Sequence, residues 1–312
     1  MRRGYDVSQI EAAHRKRTAV SALLIFIGIP AVIVLGFTLF RDRKYILVSW
    51  MILLMTIAPF FMVFEKRKPK AREIVLIAMM CALTVCAQLL CRVVVGLRAG
   101  TAIIISCGIA LGPEAGFLIG ALARFILNFY EGQGPWTPWQ MFCWGLLGFL
   151  AGLAFNRASV EKLKSRNFQV LLGPVLCVVF TELLGYLCYL FWPGDGQTFF
   201  GWRLYIFGAA GLLLGVLVQR KRLPVDDVTL TVFTFLTTFI IYGGLMNICA
   251  MVTAASIPGG NEISWETMKL LYISGVPYDA AHAGSAAITN FIFGDKIIRK
   301  LERIKLKYGI YR

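Results

Sequence analysis

Charge and histidine are scarce in this chain. Only 16% of its 312 residues are charged and only two are histidine. Two histidines cannot form a multi-histidine metal site, and no HExxH, GxSxG or aspartate-rich motif offers another chemistry. No metal site and no cofactor is therefore expected. No GxxxxGK[ST] loop occurs, which excludes ATP hydrolysis through a phosphate loop of this chain. The eight cysteines (81, 86, 91, 107, 143, 177, 188 and 249) include no C-x-x-C pair. All lie within apolar runs and read as small buried hydrophobes. Long polar stretches are missing too, so there is no segment able to bury a soluble core of its own. No fixed-period repeat or low-complexity segment is present.

Hydrocarbon is what the chain has in excess. Hydrophobic residues make up 58% and the mean hydropathy is +0.71. Apolar runs near 18–40, 45–64, 72–95, 100–112, 115–130, 138–155, 168–191, 202–219, 228–255 and 269–294 predict a polytopic, all-α integral membrane protein. The runs at 100–112 and 115–130 are short and joined by Gly112-Pro113, so they read either as thin spans or as a re-entrant hairpin. The first run follows Arg15-Lys16-Arg17 and is expected to stay as an anchor. The charged segment EKRKPKAR (65–72) separates a two-helix N-terminal unit, 1–67, from a larger bundle, 68–312.

The formal charge of +15 would suit nucleic acid, but its placement suits a membrane better. With the N-terminus inside, 24 of the 32 Lys and Arg fall in inner loops and tails, against five in outer segments. This bias predicts that both termini are cytoplasmic, beside anionic lipid.

Polar residues within the spans are costly in hydrocarbon and mark either a cavity or a helix–helix contact. Arg124 with Asn128, Glu182, Asn247, Asp279 with His282, and Gln88 with Arg92 all sit toward the outer half of their spans. Their shared depth suggests one outward-opening cavity. The competing reading is a set of separate contacts, such as an Arg124–Glu182 ion pair. The outer loop EGQGPWTPWQ (131–140) is stiffened by Pro135 and Pro138. It offers Trp136 and Trp139 either as an interfacial belt or as an aromatic lid at the cavity mouth. Ala78 and Ala82, four apart, form a small-xxx-small face that lets another helix approach, within the chain or from a partner.

The strings GPEAGFLIGAL and GQGPWTPWQMFCWGLLGFLAG within 101–153, with PYDAAHAGSAAITNFIFGDKIIRKLERIKLKYGI at 277–310, resemble the substrate-binding membrane subunit, or S component, of energy-coupling factor (ECF) transporters. The resemblance covers about residues 70–312. It implies a bundle of six to eight core helices, here with two extra N-terminal transmembrane helices. It implies a non-enzymatic subunit of a bacterial cell membrane that captures a vitamin or similar micronutrient from outside. Partners would be a transmembrane coupling subunit, docked at Ala78 and Ala82, and two ATPase subunits. The subgroup carrying GQGPWTPWQ is similar to members assigned to cobalamin. Arg124, Asn128, Glu182, Asn247, Asp279 and His282 would line the substrate site, with Trp136 and Trp139 at its mouth. Two other classes stay open: a membrane enzyme acting on a lipid or isoprenoid, and a proton-driven secondary transporter.

Overall fold

The computed structural model describes residues 71–91, 98–155, 169–193, 198–219, 222–255 and 263–310, with Met51. The expected N-terminal unit, 1–67, lies outside them but for Met51, as does Arg92. Among the described residues the elements are helices: α1 (Ala71–Cys91), α2 (Ala99–Leu111), α3 (Pro113–Glu131), α4 (Thr137–Ala154), α5 (Gln169–Phe191), α6 (Trp202–Val218), α7 (Asp227–Leu236), α8 (Gly244–Ala255), α9 (Trp265–Thr289) and α10 (Asp295–Tyr308). A π-helical stretch, Thr237–Gly243, makes α7 and α8 continuous, and a second, Asn290–Gly294, joins α9 to α10. The single extended contact among them is a bridge between Phe155 and Leu223.

Ala71–Cys91, Val170–Phe191 and Asp227–Ala255 are long and apolar enough to cross a bilayer. At 1.5 Å per residue, the first is roughly 31 Å long, close to the hydrocarbon thickness. The chain is thus a membrane protein built of helices. The expected span at 269–294 differs in extent. It begins at Trp265 and, instead of ending, runs through the π-helical stretch into α10.

The short apolar pair resolves into a buried hairpin. Every residue of α2, from Ala99 to Leu111, is buried. A helix apolar on all sides has no face for water and must be enclosed. Here α1, α3, α4, α9 and α10 enclose it. The turn into α3 is one residue, Gly112, at φ 103°, a conformation open to glycine at little cost. Pro113 then opens α3 with its preset φ.

The centre of the molecule is the junction of α2, α3 and α4. Ile104, Ile105, Ile119, Leu127, Trp139, Met141, Trp144 and Phe149 are among its fully buried side chains. Gly108, Gly116 and Gly148 bring the three backbones into contact. A Cβ on Gly116 would stand 2.6 Å from Gly108 Cα and 2.7 Å from the Gly148 carbonyl oxygen. Close approach through small residues is how helices associate where no hydrophobic force separates lipid from protein.

α5 and α6 pair with each other, Gly208, Gly211 and Gly215 lying against Glu182, Thr181, Val178 and Pro174. The pair joins the bundle through a second apolar cluster: Val178, Tyr205, Phe239, Ile240, Tyr272 and Ala283. At the opposite end of α2 from Ala99, its last-turn carbonyl groups lack intrahelical donors. The Lys305 ammonium of α10 fills that role, donating to the Ala110 carbonyl at 2.7 Å while pairing with Glu302 at 2.9 Å.

Candidate functional site

Several buried polar residues lie near the end of the bundle where α1 and α3 finish and α2 and α4 begin. The first N–H groups of a helix have no partner within it. For α2, the Gly100 N–H is met by Gln88 Oε1 of α1 at 3.0 Å. One residue on, Thr101 Oγ1 meets His282 Nε2 of α9 at 2.9 Å. The Arg98 N–H donates to Ser285 Oγ at 3.1 Å, and the Arg98 guanidinium hydrogen-bonds Tyr278 and lies over its ring. His282 is only 1% exposed, and the Tyr242 ring meets it edge-on at 4.6 Å.

A second group joins α3 to the start of α4. Arg124 donates from Nε to Gln140 Oε1 at 2.9 Å and pairs with Glu131 at 2.8 Å. Its guanidinium lies over Trp144 at 5.2 Å. Asn128 donates to the same Gln140 oxygen at 2.9 Å and to Thr137 Oγ1 at 3.1 Å. Thr137 in turn accepts from the Gly134 N–H and donates to Gln133 Oε1. The stretch 131–140 is therefore a polar clasp on Arg124 and Asn128. Tyr242, edge-on to His282, belongs to the first of these groups.

A third group is centred on Asp279 of α9. Its Oδ2 accepts from Tyr205 of α6 and from Asn247 of α8, the latter at 2.9 Å. Tyr272 beside it donates to the Gly244 carbonyl at 2.9 Å. These bonds draw α6, α8 and α9 together. Removing one with Tyr205→Phe is expected to lower stability by about 1.5–3 kcal/mol, the worth of a hydrogen bond to a charged group. A double-mutant cycle of Tyr205→Phe with Asp279→Leu in detergent-solubilised protein measures it, and a coupling near zero would refute the shared bond.

Two readings are corrected by these contacts, one of them the competing Arg124–Glu182 pair. Arg124 forms its ion pair with Glu131, one helix end away, and not with Glu182. Glu182 sits on the α5–α6 pair, facing Gly208. Trp139 is not at a mouth. Thr137 and Pro138 already start α4, which turns the Trp139 indole into the core at 1% exposure, and only Trp136 stays at the surface, 38% exposed. Of the expected site residues, Arg124, Asn128, Asn247, Asp279 and His282 fall into three hydrogen-bonded groups. Gln140, Glu131 and Thr137 were legible in the quoted loop, but its tryptophans drew the reading. Tyr205, Tyr242 and Thr101 carry no sequence signal that separates them from other residues of their types.

Several buried polar atoms in this region have no hydrogen-bond partner among the described residues: Asn128 Oδ1, His282 Nδ1, Trp139 Nε1 and Trp144 Nε1, with Glu182 Oε2 on the α5–α6 pair. Asn128, Trp139, Trp144 and His282 are each at most 1% exposed. Orphaned buried groups are uncommon in folded proteins and call for an explanation. Amide, indole and imidazole atoms left open on α3, α4 and α9 can receive an uncharged ligand with donors and acceptors on its edge. On α1, Ala78 and Ala82 are both exposed, with Val75, Met79 and Leu83 on the same outward surface.

Comparison with known proteins adds one match. Residues 68–193 fit the model of a family described as the ECF-type riboflavin transporter, S component. No curated protein and no solved structure matches the chain significantly. The matched segment holds α1 to α4, which carry Gln88, Arg124, Asn128 and the 131–140 clasp, together with α5. Through residues 68–193 this all-helical membrane bundle is similar to the S component family of ECF transporters, the substrate-specific subunits of these systems.

Proposed function

We propose that this chain binds riboflavin, or a closely similar flat heterocycle, at the end of the bundle where α1 and α3 finish. The observation that carries the reading is the set of fully buried, unpartnered polar atoms on Asn128, Trp139, Trp144 and His282. The charges nearby already have partners, Arg124 in Glu131 and Asp279 in Tyr205 and Asn247. Apart from Glu182 Oε2, what stays open is neutral. An uncharged ring system edged with N–H and C=O groups would satisfy those atoms, with the Trp144 and Tyr242 rings as flat neighbours. The matched family's description names riboflavin, and we extend that to this chain. A wide rim of tryptophans would suit a ligand as bulky as cobalamin. With Trp139 in the core, the support for so bulky a ligand weakens.

In this reading Arg124, Asn128, Asn247, Asp279 and His282 line or brace the site, Trp136 stands at its rim, and Glu182 borders it from α5. The site end faces outside and both termini face the cytoplasm, as the distribution of Lys and Arg supports. The exposed face around Ala78 and Ala82 docks on the coupling subunit, and ATP hydrolysed by partner subunits drives release inward.

Flavin fluorescence reports the binding directly, because buried indoles beside a bound isoalloxazine quench it. Titrating riboflavin into the purified chain should give saturable one-to-one quenching. Asn128→Leu should weaken it by about 1–3 kcal/mol, through loss of a buried hydrogen-bonding group. Absence of quenching, with cobalamin retained by the chain in native mass spectrometry, would overturn the riboflavin assignment. Uptake should require co-expressed ATPase subunits. Uptake by the chain alone under a proton gradient would reject the transport mode and support a secondary transporter.

A further inference from the structure

The last helix carries a feature that substrate binding does not use. In α10, Lys296, Lys300, Arg303 and Lys307 are all exposed. Their spacing of four, three and four residues puts them on one stripe, roughly 60° of arc wide and about 16 Å long. The opposite face, with Ile298, Leu301 and Glu302 buried and Lys305 held on Ala110, is fastened to the bundle. The stripe therefore points straight away from the protein. Asp295 is taken by Arg299 and Glu302 by Lys305. None of the four striped cations has a carboxylate partner among the described residues.

One turn before the stripe, Phe291, Ile292 and Phe293 are 55%, 47% and 51% exposed. Exposed aromatic and branched side chains on a membrane helix face acyl chains. The same helix thus passes, within one turn, from lipid-facing hydrocarbon to an outward row of cations, and Lys296 lies over the Phe293 ring at 5.9 Å where the two meet. Side chains at that level sit among the headgroups of the lipids that cover Ile292 and Phe293.

We propose that the Lys296–Lys300–Arg303–Lys307 stripe is a binding surface for anionic lipid headgroups, which hold α10, and through Lys305 the end of α2, at the membrane surface. A basic residue near an anionic surface contributes a factor of about five in affinity. Salt should suppress the interaction as the screening length falls from about 10 Å at 0.1 M to about 3 Å at 1 M.

The test uses the full chain in detergent, titrated with phosphatidylglycerol or phosphatidylcholine of identical acyl chains and read by native mass spectrometry. Phosphatidylglycerol should be retained in preference, and less so when the titration starts from protein equilibrated in 1 M salt. Lys300→Gln should weaken retention about five-fold. Neutralising all four positions with Gln should bring phosphatidylglycerol down to the phosphatidylcholine level, while Lys269→Gln, at the far end of α9, should change nothing. Thermal melting of each variant in phosphatidylcholine nanodiscs, unchanged from the parent, shows that the fold persists. Equal retention of the two lipids by the parent chain, or an undiminished preference in the four-fold variant, would overturn the proposal and leave the stripe to an acidic protein surface.

Discussion

Arg124→Met should be among the most damaging single changes in this protein. Its guanidinium is held by Glu131 at 2.8 Å and Gln140 at 2.9 Å and lies over Trp144, at 6% side-chain exposure. Removing it takes the Arg124 cation away from the Glu131 carboxylate, itself only 18% exposed. Breaking a buried pair costs about 3–5 kcal/mol, chiefly through the charge left behind. Because Glu131 keeps some access to solvent, the lower end of that range is expected. The clasp also loses an anchor: of its two donors, Gln140 Oε1 keeps only Asn128. Ligand binding should fall with stability. The double variant Arg124→Met with Glu131→Gln, having no unpaired charge, should recover at least half of the lost unfolding free energy. Equilibrium unfolding in detergent measures this. Additive losses would show that the pair is not an energetic unit, and rescue by Glu182→Gln instead would put the partner on α5.

A larger loss is expected from Gly148→Leu. A Cβ at this position would stand 2.6 Å from the Gly116 carbonyl carbon and 2.9 Å from Ile104 Cγ2. The first neighbour is backbone and cannot rotate away. Overpacking of well-filled cores typically costs about 1–3 kcal/mol. Here relief requires α3 and α4 to separate along their whole contact, so at least the upper end of that range is expected. Separation would also displace Arg124 from Gln140, since the two lie on the helices being pushed apart. The variant should be recovered as aggregate after detergent extraction, while Gly173→Leu, where nothing lies within 4 Å, should behave as the parent does. Size-exclusion profiles compare the two, and a monodisperse Gly148→Leu that still binds ligand would contradict the packing described.

Both predictions turn on helices whose existence was plain from apolar length. The expected runs at 115–130 and 138–155 are α3 and α4 to within two residues at each end. The reading failed at the point where a helix begins. Pro138 reads both as the start of a span and as a stiffener of the outer loop, yet Pro is favoured at the first helical positions, and counting from there would have turned Trp139 inward. The status of α2 was also undecided by sequence. Thirteen apolar residues are compatible with a thin span, a re-entrant segment or a buried core helix, and only the helices around it distinguish these.

The candidate site shows the same division. Arg124, Asn128, Asp279 and His282 stood out because polar groups are expensive in hydrocarbon, and all four are buried. Their partners did not stand out. Arg124 and Glu131 are seven apart, two turns along one helix, and Arg124 and Glu182 are equally plausible across two helices until the helices are placed. Cost of burial is a property of one residue and is visible in one dimension. A hydrogen bond depends on the rotation and crossing of two helices, and nothing local in either one records it.

By itself the sequence determined the environment, the number and rough limits of the described helices, and which side chains could not be left in lipid unpartnered. Hydropathy and helical rise are local quantities, so these conclusions needed no coordinates. The tertiary structure alone decided that α2 is enclosed, that Glu131 and not Glu182 answers Arg124, that Trp139 is core, and that four cations of α10 share one outward stripe opposite a fastened face. Each of these depends on how helices far apart in the chain are rotated against one another, and packing sets that rotation.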